Sequence, residues 1–219
     1  MEATALSRRD RERLARRRAM LDAALVVFAD KGYEGATLDE IAERAEFGKG
    51  TLYNYFPGGK EAILFALFDE MFDGIADVVR AHFEGEALQG RPTRETFRAL
   101  IARLLHHFTD NHETFFLLIK EAQRLMLTQH DEVAALHHSR DRTIDELVGP
   151  IERAVEAGEL RPFPPPAIAH MLMGNVKGYL MYALPHAACA EPSPHDFASL
   201  DEAAEFITSI LFDGLLPRD

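Results

Sequence analysis

The sequence predicts an all-α protein, with a small helix-turn-helix head followed by a helical bundle. Three observations carry that reading. Apolar residues recur three and four positions apart along most of the chain, and no stretch of useful length alternates with a period of two. The breaks fall where glycine and proline gather: Gly32, Pro57-Gly58-Gly59, Gly85 to Pro92, and Pro162 to Pro166. Two capping boxes precede apolar runs, Thr37 with Glu40 and Ser199 with Glu202. In each, a hydroxyl and a carboxylate can satisfy the orphan N–H groups of a helix start.

Met1 to Ser7 reads as a frayed terminus. The first helix starts at Arg8 or Arg16, turns Leu21, Ala24, Leu25 and Phe28 inward, and ends with Gly32 as its C-terminal glycine. Thr37 opens the second helix, on which Ile41, Ala42 and Ala45 share a stripe. The third begins near Gly48. Its Leu52, Tyr55 and Phe56, spaced i, i+3, i+4, turn inward, leaving Lys49, Gly50, Tyr53 and Asn54 on the outer side. A cation, a phenol, an amide and a bare backbone position suit phosphates and base edges better than a protein core. Pro57 stops that helix and Lys60 stands at the start of the next.

From Lys60 to Glu84 a wide stripe of Ile63, Leu64, Leu67, Phe68, Met71, Phe72, Ile75, Val78 and Val79 must bury more than one side. Gly85 to Pro92 is the candidate hinge. Further helices are expected over 93–110, 112–129, 131–157, 164–186 and 197–216, with Gly149-Pro150 kinking or dividing the third of these.

The chain of 219 residues has room for one or two domains with a sizeable core. Its net charge of −12 would oppose nucleic acid if it were spread evenly. It is not. Residues 1–60 hold 11 Lys and Arg against 10 Asp and Glu, whereas residues 61–219 hold 13 against 26. The first twenty residues contain seven arginines and three acids. That polarity fits a DNA-reading head with a basic tail on a body that DNA repels. Taken alone, the arginine run reads either as a contact to the phosphate backbone or minor groove, or as a solvated tail. The single Cys189 rules out an intramolecular disulfide framework and fits a cytoplasmic protein. No apolar run is long enough for a membrane span, and the arginine-rich start lacks the apolar segment of a secretion signal.

The segment from Arg16 to Met71 resembles the DNA-binding domain of the tetracycline-repressor (TetR) family of bacterial regulators. The matching residues are Phe28-Ala29-x-Lys31-Gly32-Tyr33, Thr37-x-x-x-Ile41-Ala42, Gly50-Thr51-Leu52-Tyr53-x-Tyr55-Phe56, and Lys60-Glu61. The resemblance covers about a quarter of the chain. It implies a DNA-binding domain over residues 1–60 and a ligand-binding and dimerisation domain over residues 61–219. The DNA-contacting set would be Thr37, Lys49, Gly50, Thr51, Tyr53, Asn54, Tyr55 and Lys60, with Tyr53 and Lys60 on phosphates. It further implies a homodimer formed through the last two long helices, a palindromic double-stranded operator, and a repressor released by a small apolar or amphipathic effector. One position departs from the family: the turn before the third helix usually carries glycine, and here it carries Glu46.

The effector site is expected among large, soft side chains of the body: Phe68, Phe72, Phe108, Phe116, Met126 and Met171, with Asn175 and Tyr179 as orienting polar groups. The same residues read equally as plain core. Several histidines, among them His106, His107, His112, His130, His137, His138 and His170, leave metal or pH sensing open. Their spacing shows no helical i, i+4 pair, so no metal site and no cofactor is assigned. No Gly-x-Ser-x-Gly elbow, P-loop or His-Glu-x-x-His motif is present, and nothing in the sequence raises a helical enzyme above a regulator. An interaction protein that has lost DNA binding is the remaining alternative.

Overall fold

The computed structural model describes residues 7–84, 93–128, 130–187 and 197–213. The hinge expected at Gly85 to Pro92, Cys189, and the side chains of His130, His137 and His138 lie outside the described residues. Among the described residues every regular element is a helix: α1 (Arg8–Gly35), α2 (Leu38–Arg44), α3 (Lys49–Tyr55), α4 (Gly59–Phe83), α5 (Thr93–Asp110), α6 (His112–Thr128), α7 (His130–Glu156), α8 (Pro165–Ala187) and α9 (Leu200–Phe212). They fall into two compact units that interleave along the chain.

The first unit is Met1–Glu70 with Glu113–Leu136. Its core is built from the inward stripes read in the sequence. Met20, Leu21, Ala24 and Phe28 of α1, Ile41 of α2, Leu52 of α3 and Ile63, Leu64 and Phe68 of α4 are all buried. From α6 come Phe115, Leu118 and Leu125, also buried. Each such aliphatic or aromatic side chain contributes about 1.5–3 kcal/mol on leaving water. Gly32 turns the chain at φ 70, as its place after the first apolar stripe predicts, and one more helical turn runs to Gly35.

The second unit is Met71–His112 with His137–Asp219. Leu100, Ile101, Leu104 and Leu105 of α5 are fully buried, and α5 packs against α8 and α9, where Val176, Leu180, Ala203 and Ala204 are buried, as are Leu147 and Ile151 of α7. Arg94 of α5 fastens α9 through Glu205, Ser209 and Asp213. Thr143 Oγ1 donates to the Phe72 carbonyl at 3.2 Å, and the His82 ring hydrogen-bonds the Thr96 carbonyl at 3.0 Å. Of the kink or division expected at Gly149-Pro150, the division does not occur: α7 runs on through Pro150. Pro150 removes one N–H from the ladder, a cost of about 3 kcal/mol in an isolated helix. Leu147 and Ile151, both fully buried, hold the helix together on either side of it.

Candidate nucleic-acid interface

The head is shaped by its caps. Thr37 Oγ1 accepts from the Glu40 N–H, and Glu40 accepts from the Thr37 N–H at 3.0 Å, so the capping box closes in both directions. Lys31 of α1 forms an ion pair with the same carboxylate. That lysine, together with the Thr37 backbone bond, holds the Glu40 carboxyl below the usual carboxylate range. At the other end of α2 the Glu46 N–H donates to the Glu43 carbonyl at 3.1 Å, and the Phe47 N–H to the Ala42 carbonyl at 3.0 Å. This paired bonding is a Schellman stop, which needs a left-handed residue just beyond the C-cap, at the donor of the inner bond. Glu46 takes that place at φ 59. A residue with a Cβ is strained there by about 1 kcal/mol, which is the physical cost of having Glu46 where the family usually has glycine.

α3 is thereby fixed against α2. Leu52 and Phe56 are buried, Tyr55 and Thr51 are half-buried, and Lys49, Gly50, Tyr53 and Asn54 face solvent. Lys49 pairs with Asp39 of α2 at 2.9 Å, which raises its pKa above the ordinary lysine value. Gly59, at φ 66, closes the turn into α4 with its N–H on the Phe56 carbonyl at 2.8 Å. The positive φ at Gly59 calls for glycine, and a Cβ there would also press on the Leu38 side chain at 3.2 Å.

Lys60 reaches back to the end of α1. Its ammonium donates to the carbonyls of Tyr33, Glu34 and Ala36 at 2.7, 3.2 and 3.0 Å. An ammonium has three donors, and all three are directed into the turn that follows Gly32 rather than at solvent. The same nitrogen sits 4.6 Å from the centre of the Tyr33 ring, and the Arg124 guanidinium of α6 lies 5.0 Å from that centre. Arg124 also pairs with Glu34 at 3.0 Å and Glu121 at 2.7 Å. These partners stand 24 to 27 positions from Lys60 in the chain, so no local pattern announces them.

An exposed recognition face on a capped α2-turn-α3 is matched by the comparisons with known proteins. The family model for bacterial regulatory proteins of the tetR family matches residues 20–67, and that for the tetracyclin repressor-like C-terminal domain matches residues 90–180. The chain belongs to the TetR family. It is a DNA-binding transcription regulator with a helix-turn-helix head and a helical C-terminal domain. It is 26% identical over 212 residues to the transcriptional regulator RutR of Escherichia coli K12, covering 96% of this chain and 95% of that one. FadR of Bacillus subtilis, solved with stearoyl-CoA, shares the fold at a TM-score of 0.72 and 18% identity, over 90% of this chain and 98% of FadR. AibR, solved with isovaleryl coenzyme A and operator DNA, shares it at 0.61 and 22% identity, over 90% of this chain and 98% of AibR.

The residues put forward for an effector divide within this TetR regulator. Phe68 and Phe108 are buried core residues of the first and second units respectively. Phe116 and Phe72 are half-buried, and Met126 is exposed. Met171, Asn175 and Tyr179 lie on one side of α8, where they line an open depression of about 390 Å³ with Phe206 and Ile210 of α9. Met171 is 60% exposed and Phe206 45%. Among the described residues no three His, Cys, Asp or Glu side chains come together as a metal site. His106, His112 and His170 are exposed, and His107 is half-buried. No helix of the described residues is long and apolar enough to cross a membrane.

Proposed function

We propose that this regulator is a repressor, a homodimer that sets two α3 helices on a palindromic operator and lets go when an effector binds its body. The outer face of α3 supports the reading: four solvent-facing residues of mixed chemistry on a helix whose inner side is locked into the core. Lys49, Thr51 and Asn54 address base edges, Tyr53 a phosphate, and Thr37 and Tyr55 the margins of the groove. Lys60 shapes the head instead of touching the duplex. Residues 1–60 read DNA, and residues 61–219 bind effector and the second subunit.

The α8 and α9 face is the subunit contact. Met171, Tyr182 and Phe206 are large exposed apolar residues on one side of these helices. Between them Gly174 and Gly178 offer a notch, since a Cβ at either would meet nothing within 4 Å. A second copy, with Phe206 as its knob, suits this self-complementary surface. Two half-sites one turn of the duplex apart call for two recognition helices about 34–36 Å apart, one from each subunit. Met171, Asn175 and Tyr179 then serve the partner rather than an effector.

The effector class we put forward is an acyl-CoA thioester, by analogy with the ligands of the FadR and AibR structures. It can weaken DNA binding only by preferring one dimer state over the other. A gel shift of the full chain on the DNA upstream of its own gene tests the proposal. A salt-sensitive, sequence-specific shift is expected, with Asn54→Ala costing about 1–3 kcal/mol at one position of each half-site. Acyl-CoA should reverse the shift. Absence of any shift overturns the repressor reading; a shift that no acyl-CoA reverses overturns the effector alone.

A further inference from the structure

We infer that Asp39, on α2, sets the base preference of the recognition helix: it holds Lys49 as a donor–acceptor pair that selects a G·C base pair in each half-site. The inference rests on the DNA-binding reading above and deepens it. Lys49 is the first residue of α3 and its one charged side chain. Asp39 stands in the first turn of α2, where Glu40 is already taken by the capping box and by Lys31. Asp39 has no part in that cap. Its carboxylate reaches across to α3 instead, with Oδ1 and Oδ2 both 2.9 Å from Lys49 Nζ.

The pair sits at the surface, the Asp39 side chain 68% exposed and the Lys49 side chain 50%. An ion pair this exposed adds little to stability, so holding the fold together does not account for it. What it changes is the chemistry of the reading face. A free lysine here would be a point charge on a flexible stem, drawn to any phosphate. Held by Asp39, it is fixed and its charge is offset, so α3 offers DNA no free cation. The pair keeps hydrogen-bonding capacity all the same. An ammonium has three donors and each carboxylate oxygen two lone pairs, so after their mutual contact a donor and an acceptor remain side by side. The bond to Asp39 also holds the Lys49 pKa above the ordinary lysine value, which keeps that donor charged.

That pattern matches one major-groove edge. Guanine presents two acceptors, N7 and O6, to a cation, and the cytosine paired with it presents its N4 amino group to a carboxylate. Lysine on guanine and aspartate on cytosine are each favoured contacts, and here the two side chains arrive together. At an A·T pair the adenine amino group takes the place of the second acceptor, and the ammonium faces a donor. The carboxylate adds discrimination by exclusion, since opposite a phosphate or a bare base acceptor it is repelled and left unpaired. Asp39 therefore lowers affinity for DNA in general and raises selectivity. It does so from α2, ten positions before the residue it governs.

The test is site selection. Full-length wild type and variants each select from a randomised duplex library, and the enriched sites are sequenced. Wild type should enrich a palindrome with a G·C pair at one position of each half-site. In D39N that position alone should lose its preference, by about 5- to 100-fold in relative affinity. On a duplex of arbitrary sequence D39N should bind more tightly, with a salt slope steeper by up to about 0.9 as the freed Lys49 meets a phosphate. K49M should lose the same position, and D39N/K49M should lose no more than K49M, as a coupled pair requires. An unchanged D39N selection, a relaxation at every position alike, or weaker binding of D39N to arbitrary DNA overturns the inference. So does an A·T pair at the position that responds to Asp39. A wild-type palindrome in those cases leaves the α3 reading standing, whereas a wild type that enriches no sequence overturns both. Thr37 and Glu40 keep the cap in D39N, so its melting temperature should match wild type. A head that did melt lower would weaken every position alike, so loss at one position still reports the pair.

Discussion

Lys60→Met separates a structural lysine from a DNA-contacting one. The substitution keeps most of the stem and deletes the ammonium, leaving the carbonyls of Tyr33, Glu34 and Ala36 without their donor. A charge-assisted hydrogen bond contributes about 1.5–3 kcal/mol when taken singly. Three bonds from one nitrogen do not add, and releasing the side chain returns up to about 2 kcal/mol of rotamer entropy. The stacking on Tyr33 adds about 0.5–1 kcal/mol. The expected net loss is about 2–3 kcal/mol. Urea unfolding followed by circular dichroism should show it, as should faster amide exchange in the turn after Gly32. In the same protein the salt slope on DNA should stay within about half a unit of wild type, because no phosphate contact has gone. A loss below about 0.5 kcal/mol together with a slope lower by about one unit would refute the argument and return Lys60 to the duplex.

Three further outcomes are expected. Glu46→Gly relieves the left-handed backbone at φ 59 and removes a carboxylate beside the recognition helix. It should raise stability by about 0.5–1 kcal/mol and tighten DNA binding; a lower melting temperature would show the turn is not strained. Burial pushes the His107 pKa down, only partly opposed by Asp110. The folded state thus disfavours the protonated ring, so its contribution is intact above the unfolded pKa of 6.5 and declines as pH falls below it. Wild type should lose more melting temperature than His107→Gln on acidification through that value, and equal losses would exclude the group. Phe206→Asp, at 45% exposure, should shift sedimentation from dimer to monomer while the isolated fold survives; an unchanged dimer would move the interface elsewhere.

What the sequence made legible was local chemistry. Thr37 with Glu40 announces a capping box because both partners lie within one turn, and the structure closes it. Leu52 and Phe56 are buried as their spacing demands. Glu46 is left-handed because a Schellman stop needs that backbone, whichever residue the gene supplies. Pro150 shows the limit of the same logic. Its propensity argues for a break, yet buried Leu147 and Ile151 keep α7 whole, so tertiary packing prevails over a local cost of about 3 kcal/mol.

The parts that stayed hidden share a different cause. Lys60 meets carbonyls 24 to 27 positions away, and no periodicity distinguishes an ammonium that caps a turn from one that meets a phosphate. The arginines of α1 read as a uniform run until the helix sorts them, with Glu70, 52 and 53 positions on, engaging Arg17 and Arg18. Phe and Met enrichment marks a core and a ligand cavity equally, since both need large soft side chains. Charge therefore tells more than apolarity here. An apolar residue is satisfied by any neighbour, whereas an arginine is satisfied only by the acid that the fold brings to it, as Glu70 is brought to Arg17 and Arg18.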